Sequence, residues 1–270
     1  MVISRQLLFR SAVWEIARPR HPLTAGHVLI RLSDPSTEFS GPSAADWLRC
    51  HNLARAALRD VLGAAKAVVM FAHRWHPLGA ALGEPVAESS TPTFHLFARW
   101  ADETTTPGRQ LALPAHRRLA VPEPVLGDLD EELRESLRFF ADGPLADVAP
   151  EAGHFDQAGF QRGPATGVVP FTVEAPLQVG LHAPGRHCLI RPASGAGSIA
   201  ALRPDELLGI ADALAGLPMP GGVSGLSCVA VEAESSGEAL SIHAVGRSGA
   251  EPASPLLDLF RLPEVSVALL

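Results

Sequence analysis

The sequence is poor in cysteine. Cys50, Cys188 and Cys228 are the three in 270 residues, far apart and in no Cys-x-x-Cys pair. That excludes a disulfide framework or a zinc knuckle as the source of stability and leaves the thiols as small buried groups. No run of 18 consecutive apolar residues occurs, and the opening MVISRQLLFRSAVWE has neither the apolar centre nor the cleavage site of a signal peptide. A cytoplasmic location with no membrane partner is therefore expected. Positive charge is also short, with 22 Lys and Arg against 29 Asp and Glu for a net charge of −7. That balance argues against a broad nucleic-acid surface, although a small phosphate pocket needs only local donors. Lys66, the single lysine, carries no functional weight. With 47% hydrophobic residues, the chain can bury a large core as one large or two medium domains.

What the sequence does have is an internal echo. His27-Val-Leu-Ile-Arg31 recurs as His187-Cys-Leu-Ile-Arg191, a step of 160 residues from 27 to 187. Downstream, His95-Leu-Phe-Ala-Arg99 recurs as His243-Ala-Val-Gly-Arg247, a step of 148 from 95 to 243. A third pair, Pro122-Glu123 and Pro263-Glu264, keeps the same order. Copies that keep their order and differ by a loop's length read as two related units. Their expected bounds are 1–125 and 167–270, joined by a connecting helix and linker over 126–166.

In the first unit, residues 12–17 and 27–31 read as strands around a turn. Trp47, Leu48, Ala54, Leu58 and Val61 at helical spacing predict a helix over 44–62, with Ser43 and Asp46 as its capping arrangement. Strands are expected over 66–72 and 93–101, joined by a loop over 75–92. The second unit repeats the order more compactly, with strands over 168–173 and 187–190, a helix from Pro204, and strands over 227–231 and 239–245. Asp128 to Ala141 predicts the connecting helix, and residues 142–166 a Gly- and Pro-rich linker.

Gly26-His27-Val28-Leu29-Ile30, the helix that follows it, and Pro92-Thr-Phe-His95-Leu-Phe-Ala-Arg99-Trp100 resemble the core of the histidine triad (HIT) superfamily. The resemblance covers most of residues 9–101 and, more weakly, about 168–248. Two such units resemble the galactose-1-phosphate uridylyltransferase and dinucleotide phosphorylase branch, whose members transfer nucleoside monophosphate groups through a nucleotidyl-histidine. The fold so implied is α+β: two HIT-like units, each an antiparallel sheet with one main helix, packed as an intramolecular pseudo-dimer in a monomer or weak homodimer.

The triad itself is altered. Anchoring on Arg99 and Trp100 places His95 third, with Thr93 second and Thr91 first, so the usual nucleophile is absent. Sliding by two puts His95 at the centre, flanked by Thr93 and Phe97. Attack on phosphorus needs an imidazole whose other nitrogen is held by a partner, and a threonine hydroxyl is no substitute without a base. The expected catalytic residues are His95 and Thr93. His76, Ser89, Ser90, Thr91 and Arg99 are the expected ligand-binding residues, since hydroxyls and a guanidinium suit phosphate. His73 and His76 could join His95 around a metal, but no cysteine pair and no nearby Asp-x-His or His-x-Glu motif accompanies them, so no metal and no cofactor is expected. His27 and His187 read as structural.

Three functions fit these residues. One is a HIT-like hydrolase or transferase acting on a nucleotide or other phosphate-ester small molecule. Another is a repurposed enzyme for a non-nucleotide metabolite with His95 as general acid or base. The third is a non-catalytic binding or scaffold protein.

Overall fold

Short β-rich runs broken by turns, with two long amphipathic stretches among them, set the architecture. The computed structural model of the protein describes residues 7–75, 77–82, 92–143, 171–174, 187–217, 222–232, 238–248, 256, 259–260 and 262–270. Among them are nine strands: β1 (Leu7–Arg10), β2 (Trp14–Ala17), β3 (His27–Leu32), β4 (Lys66–His73), β5 (Thr93–Arg99), β6 (Phe171–Glu174), β7 (His187–Pro192), β8 (Gly225–Val231) and β9 (Ser241–Arg247). The helices are α1 (Gly41–Leu62), α2 (Pro77–Ala81), α3 (Pro107–Leu111), α4 (Glu123–Asp142), α5 (Pro204–Gly216) and α6 (Pro263–Leu269).

The expected α+β class is what the chain adopts, but the two expected sheets are one. All nine strands form a single antiparallel sheet in the order β1-β2-β3-β5-β4-β8-β9-β7-β6. The join is β4 on β8, which pairs Val68 with Val231 through His73 with Leu226. Pairing these two strands removes two edges that would otherwise present unpaired N–H and C=O groups. Outward from this seam the order is β4-β5-β3-β2 on one side and β8-β9-β7-β6 on the other. With the edge strand β1 set aside, both are third, fourth, second, first in chain order, and in both the main helix falls between second and third.

The register is equally matched. A single row across the sheet runs Leu29, His95, Met70, Val229, His243, Leu189. His27 faces Phe97 and His187 faces Val245, so each histidine pair is diagonal across its strands in the same sense. Directly opposed residues share a face of the sheet. His95 and His243 therefore lie on one face, about three strand spacings, or ~14 Å, apart.

The other face carries α1, α4 and α5. Trp14, Ile30, Trp47, Leu53, Leu58, Leu96, Ile210 and Ile242 are buried there. Residues 44–62 are helical as the spacing predicts, but α1 begins earlier, at Gly41 behind Ser40. Ser43 Oγ accepts the Ser40 N–H at 2.7 Å, and Gly63 closes the helix in the left-handed conformation at φ 67°. Asp46 does not cap; its carboxylate accepts from Ser11 Oγ at 2.6 Å and the Val13 N–H at 2.8 Å, tying the helix to the turn before β2. α4 also starts earlier than Asp128, because Pro124 is tolerated in a first turn. Its buried stripe of Leu126, Leu129, Leu133 and Leu137 faces inward, and Asp130 meets the buried Arg18 at 2.7 Å.

The histidine face is closed by a second cluster in which Met70, Trp75, Leu82, Phe97 and Val229 pack with Leu256, Leu259, Val265 and Leu269. α2, inside the expected loop, contributes Leu78 and Ala81. Neither α6 nor α3, whose Gly108 lies against Leu269 and Leu270, is predicted from periodicity. Both are too short to display a helical repeat. Most of the expected linker, 144–166, lies outside the described residues.

Candidate functional site

Strand β5 carries Thr93 and His95 to the mouth of a cavity of about 1090 Å³. Its walls are the ends of β4 and β5, the start of α1 and the face of α5, with Trp14, Phe39, Trp47, Phe71, Phe94 and Trp75 supplying aromatic surface. The described charges on it are Arg74 against Glu38, Asp205 and Asp212. Three lining residues hold a buried polar atom without a partner: Trp47 Nε1, Trp75 Nε1 and His73 Nε2. Trp75 is fixed from its other side by the Arg247 guanidinium, 5.2 Å above the ring.

His95 is only 2% exposed, and its Nδ1 is 3.1 Å from His27 Nε2. The protons in this pair follow from the backbone. The Leu23 N–H donates to His27 Nδ1 at 3.2 Å, so that nitrogen holds a lone pair and His27 carries its proton on Nε2. That Nε2–H donates to His95 Nδ1, which leaves the His95 proton on its own Nε2. The direction is locked, because reversing it would set a His27 N–H against the Leu23 N–H. Burial pushes the His95 imidazole down to about 3, so it is neutral at pH 7. His27 is held well below the ordinary histidine range, first by burial, then by His95 and by Arg18. A neutral His95 thus offers a donor at Nε2, with no lone pair there for attack.

Arg18 braces this arrangement from behind. Its guanidinium donates to the carbonyls of Ala25 at 2.5 Å and His27 at 2.9 Å, as well as to Asp130. Gly26, before His27, has no room for a side chain: a Cβ there would come within 2.8 Å of the Trp100 ring and 3.0 Å of Ala98. That contact is a physical reason for Gly before His in one strand and Trp after Arg in its neighbour.

The expected site residues do not all converge. Thr93 and His95 meet the cavity from the histidine face of the sheet, together with Trp75 and Leu78, while Trp14, Trp47, Phe71, Phe94 and α5 line it from the helix face. Arg99, four residues further along β5, is bonded to Glu103 and the Ala268 carbonyl and lines a different cavity. His76, Ser89, Ser90 and Thr91 lie outside the described residues. His27, read from sequence as structural, is a direct partner of His95, and its Nδ1 contact with backbone is the kind that reading implies. The signal for the pair was present in the repeat, since His27/His95 and His187/His243 recur together. From sequence His73 reads only as a metal candidate near a strand end and Trp75 only as the start of a loop; their unpartnered atoms come from packing. Among the described residues no group of three or more His, Cys, Asp or Glu is placed to hold a metal ion. No helix among them is long and apolar enough to cross a membrane.

No family model matches the sequence and no curated protein matches it. Among solved structures, the chain is similar to a hypothetical histidine triad nucleotide-binding protein from Sulfolobus tokodaii, at 13% identity and a TM-score of 0.36, over 50% of this chain and 85% of that one. It is similar to a Hit-like protein involved in cell-cycle regulation from Bartonella henselae, at 13% identity and a TM-score of 0.34, over 50% of this chain and 87% of that one. A uridylyltransferase mutant aligns over more of it, 90% of this chain and 79% of its own, at 12% identity and a TM-score of 0.44. The likeness is to histidine triad proteins over half the chain and to a uridylyltransferase over nearly all of it.

Proposed function

We propose that the protein is a HIT-like enzyme built from two duplicated units packed as an intramolecular pseudo-dimer, with its reaction centre at His95 in the first unit. The matched strand succession and the shared row of His95 and His243 support the duplication. The proposed bounds remain 1–125 and 167–270, with the connecting segment between. The substrate is a nucleotide or other phosphate-ester small molecule, and the reaction is hydrolysis or group transfer.

The observation that carries the mechanism is the locked His27–His95 pair. His95 Nε2–H donates to a substrate oxygen on which negative charge grows, a stabilisation worth about 100-fold or more in rate when such a donor is aimed at the transition state. It is not the nucleophile, and no nucleotidyl-histidine forms on it. General-base action through Nε2, one sequence-based expectation, is not part of this reading, because that nitrogen already holds its proton. Thr93 sits beside it as a ligand-positioning hydroxyl. His76, Ser89, Ser90 and Thr91 stand as proposed phosphate contacts on the sequence resemblance, whereas Arg99, held by Glu103 and the Ala268 carbonyl in the other cavity, is left out of this reading.

A second reading, an enzyme for a non-nucleotide metabolite, is favoured by the cavity wall. Among the described lining residues, one arginine against three carboxylates disfavours a multiply charged ligand, whereas six aromatic rings, two unpartnered buried indole N–H groups and the unpartnered His73 Nε2 suit a large apolar body carrying a few polar atoms. Thermal-shift titration with nucleoside monophosphates, nucleotide sugars and dinucleotides separates the two. A nucleotide at 100 times its dissociation constant adds about 2.7 kcal/mol of stability. No shift with any of the three classes sinks the nucleotide reading and leaves the metabolite one.

A further inference from the structure

The second half repeats the histidine pair with one addition. His187 Nε2 lies 3.2 Å from His243 Nδ1, the rings are stacked at 12°, and His243 Nε2 lies 3.0 Å from Glu264 Oε2. An ionised carboxylate only accepts, so His243 carries its proton on Nε2 and receives the His187 Nε2–H at Nδ1. His243 is thus the same tautomer as His95, fixed from the opposite end of its chain of bonds. The other Glu264 oxygen, Oε1, is 3.8 Å from the Arg191 guanidinium. One carboxylate accepts a buried imidazole N–H on one oxygen and has a guanidinium within ion-pair distance of the other, the two donor types with which proteins hold oxyanions.

Glu264 is a loosely seated occupant of that donor set. Its side chain is 48% exposed on the short helix α6, whereas the side chain of His243 is 6% exposed. Beside it opens a cavity of about 700 Å³ whose walls include Glu264, Arg191, Arg99, Lys66 and Glu238. Arg99 is matched by Glu103, and Glu232 on the same wall by Arg55. Exchanging the Glu264 carboxylate for an external anion of the same charge leaves the local charge unchanged.

We propose that His243 Nε2–H and Arg191 form a second small-molecule site, for a small oxyanion, and that the Glu264 carboxylate fills it here as an internal competitor that the external anion displaces. The site is separate from the His95 centre and does not depend on what that centre does.

The test is a titration of the full chain with sodium formate and with inorganic phosphate, followed at the His243 ring nitrogens by ¹⁵N NMR, His243→Asn identifying the signals. Glu264→Ala empties the donor set. Charge-assisted hydrogen bonds contribute about 1.5–3 kcal/mol, so saturation by at least one of the two anions is expected at about tenfold lower concentration in Glu264→Ala than in the natural chain. Saturation by formate alone marks a planar carboxylate site, and saturation by phosphate a site that admits a phosphate monoester end. Arg191→Gln on the Glu264→Ala background should raise the concentration needed about tenfold, and His95→Ala on that background should leave it unchanged. If Glu264→Ala does not fold, Glu264→Gln keeps the side-chain volume and is expected to saturate at lower anion concentration than the natural chain. A His243 signal that neither anion moves saturably in the folded variant, or that saturates at the same concentration with and without the Glu264 carboxylate, overturns the proposal.

Discussion

His95 owes its chemistry to a backbone amide four residues before its partner. The Leu23 N–H orients His27, and His27 orients His95, so a proton position is set over two hydrogen bonds. Two outcomes follow. His95→Ala should lower the rate of whatever reaction the cavity supports by about 100-fold or more, the scale for loss of one aimed donor, while Thr93→Ala should cost less and act mainly on KM. Steady-state kinetics distinguishes them, and a larger loss in kcat for Thr93→Ala would place that hydroxyl at the reacting atoms. Mass spectrometry of enzyme quenched with substrate should show no phosphoramidate; a nucleotidyl group on His95 would refute the locked tautomer.

Buried neutral histidines also set a pH dependence. Burial pushes both His51 and His95 down to about 3, against about 6.5 for the unfolded chain. The unfolded state therefore takes up protons that the folded state refuses as pH falls through about 6.5. Above that pH neither group costs stability; between about 6.5 and about 3 each costs progressively more. From pH 7 to pH 5 the loss is about 2 kcal/mol per histidine. Urea midpoints measured at the two pH values should fall accordingly, and the fall should shrink in His51→Gln. An unchanged midpoint would mean that these imidazoles titrate normally in the folded protein.

At the scale of elements, two contacts hold the frame around the site. Arg18 joins the end of β2 to Asp130 on α4 while it supports the carbonyl of His27. Burial lowers the affinity of its guanidinium for the proton, and Asp130 opposes that. Removing one partner of a buried pair leaves the other charge uncompensated, so Asp130→Asn should cost about 3–5 kcal/mol, and Arg18→Met with Asp130→Leu together much less than the two single losses added. A double-mutant cycle from urea unfolding reads this directly. Near-additive losses would mean that the pair is not coupled. The second contact is at Gly225, where β8 begins. A Cβ there would come within 2.4 Å of the Arg74 carbonyl oxygen, and backbone cannot move aside as a flexible side chain can. Gly225→Ala should destabilise by about 1–3 kcal/mol and disturb the Arg74–Trp75 wall of the cavity. A stable variant with unaltered ligand binding would show that the strand ends yield easily.

For the whole molecule, the β4–β8 seam makes the two halves one body. Each seam strand is buried on both faces, with Val68, Met70, Val229 and Val231 on one and Val69, Cys228 and Ala230 on the other. Cutting there would expose two apolar edges with unpaired backbone groups. Residues 1–143 and 167–270 produced separately should therefore fail to give folded spectra alone and should do so on mixing. Two independently folded fragments would make the halves true domains instead.

How much of this was legible depended on the range of the interaction responsible. Helical spacing in 44–62 and 204–216, apolar runs in the strands and the paired phrases around His27, His95, His187 and His243 are local patterns, and they determined the class, the element order and the duplication hypothesis. Helix starts moved by several residues at α1 and α4, because caps and prolines leave a helix's first turn free to extend. The short elements α3 and α6 stay hidden, since five to seven residues carry no period. Which histidine nitrogen bears the proton, that Arg99 belongs to another cavity from His95, and that Glu264 meets His243 were decided only by the tertiary structure. Each depends on atoms brought together from distant strands and helices, and on burial that fixes a proton or a charge only once water has been excluded.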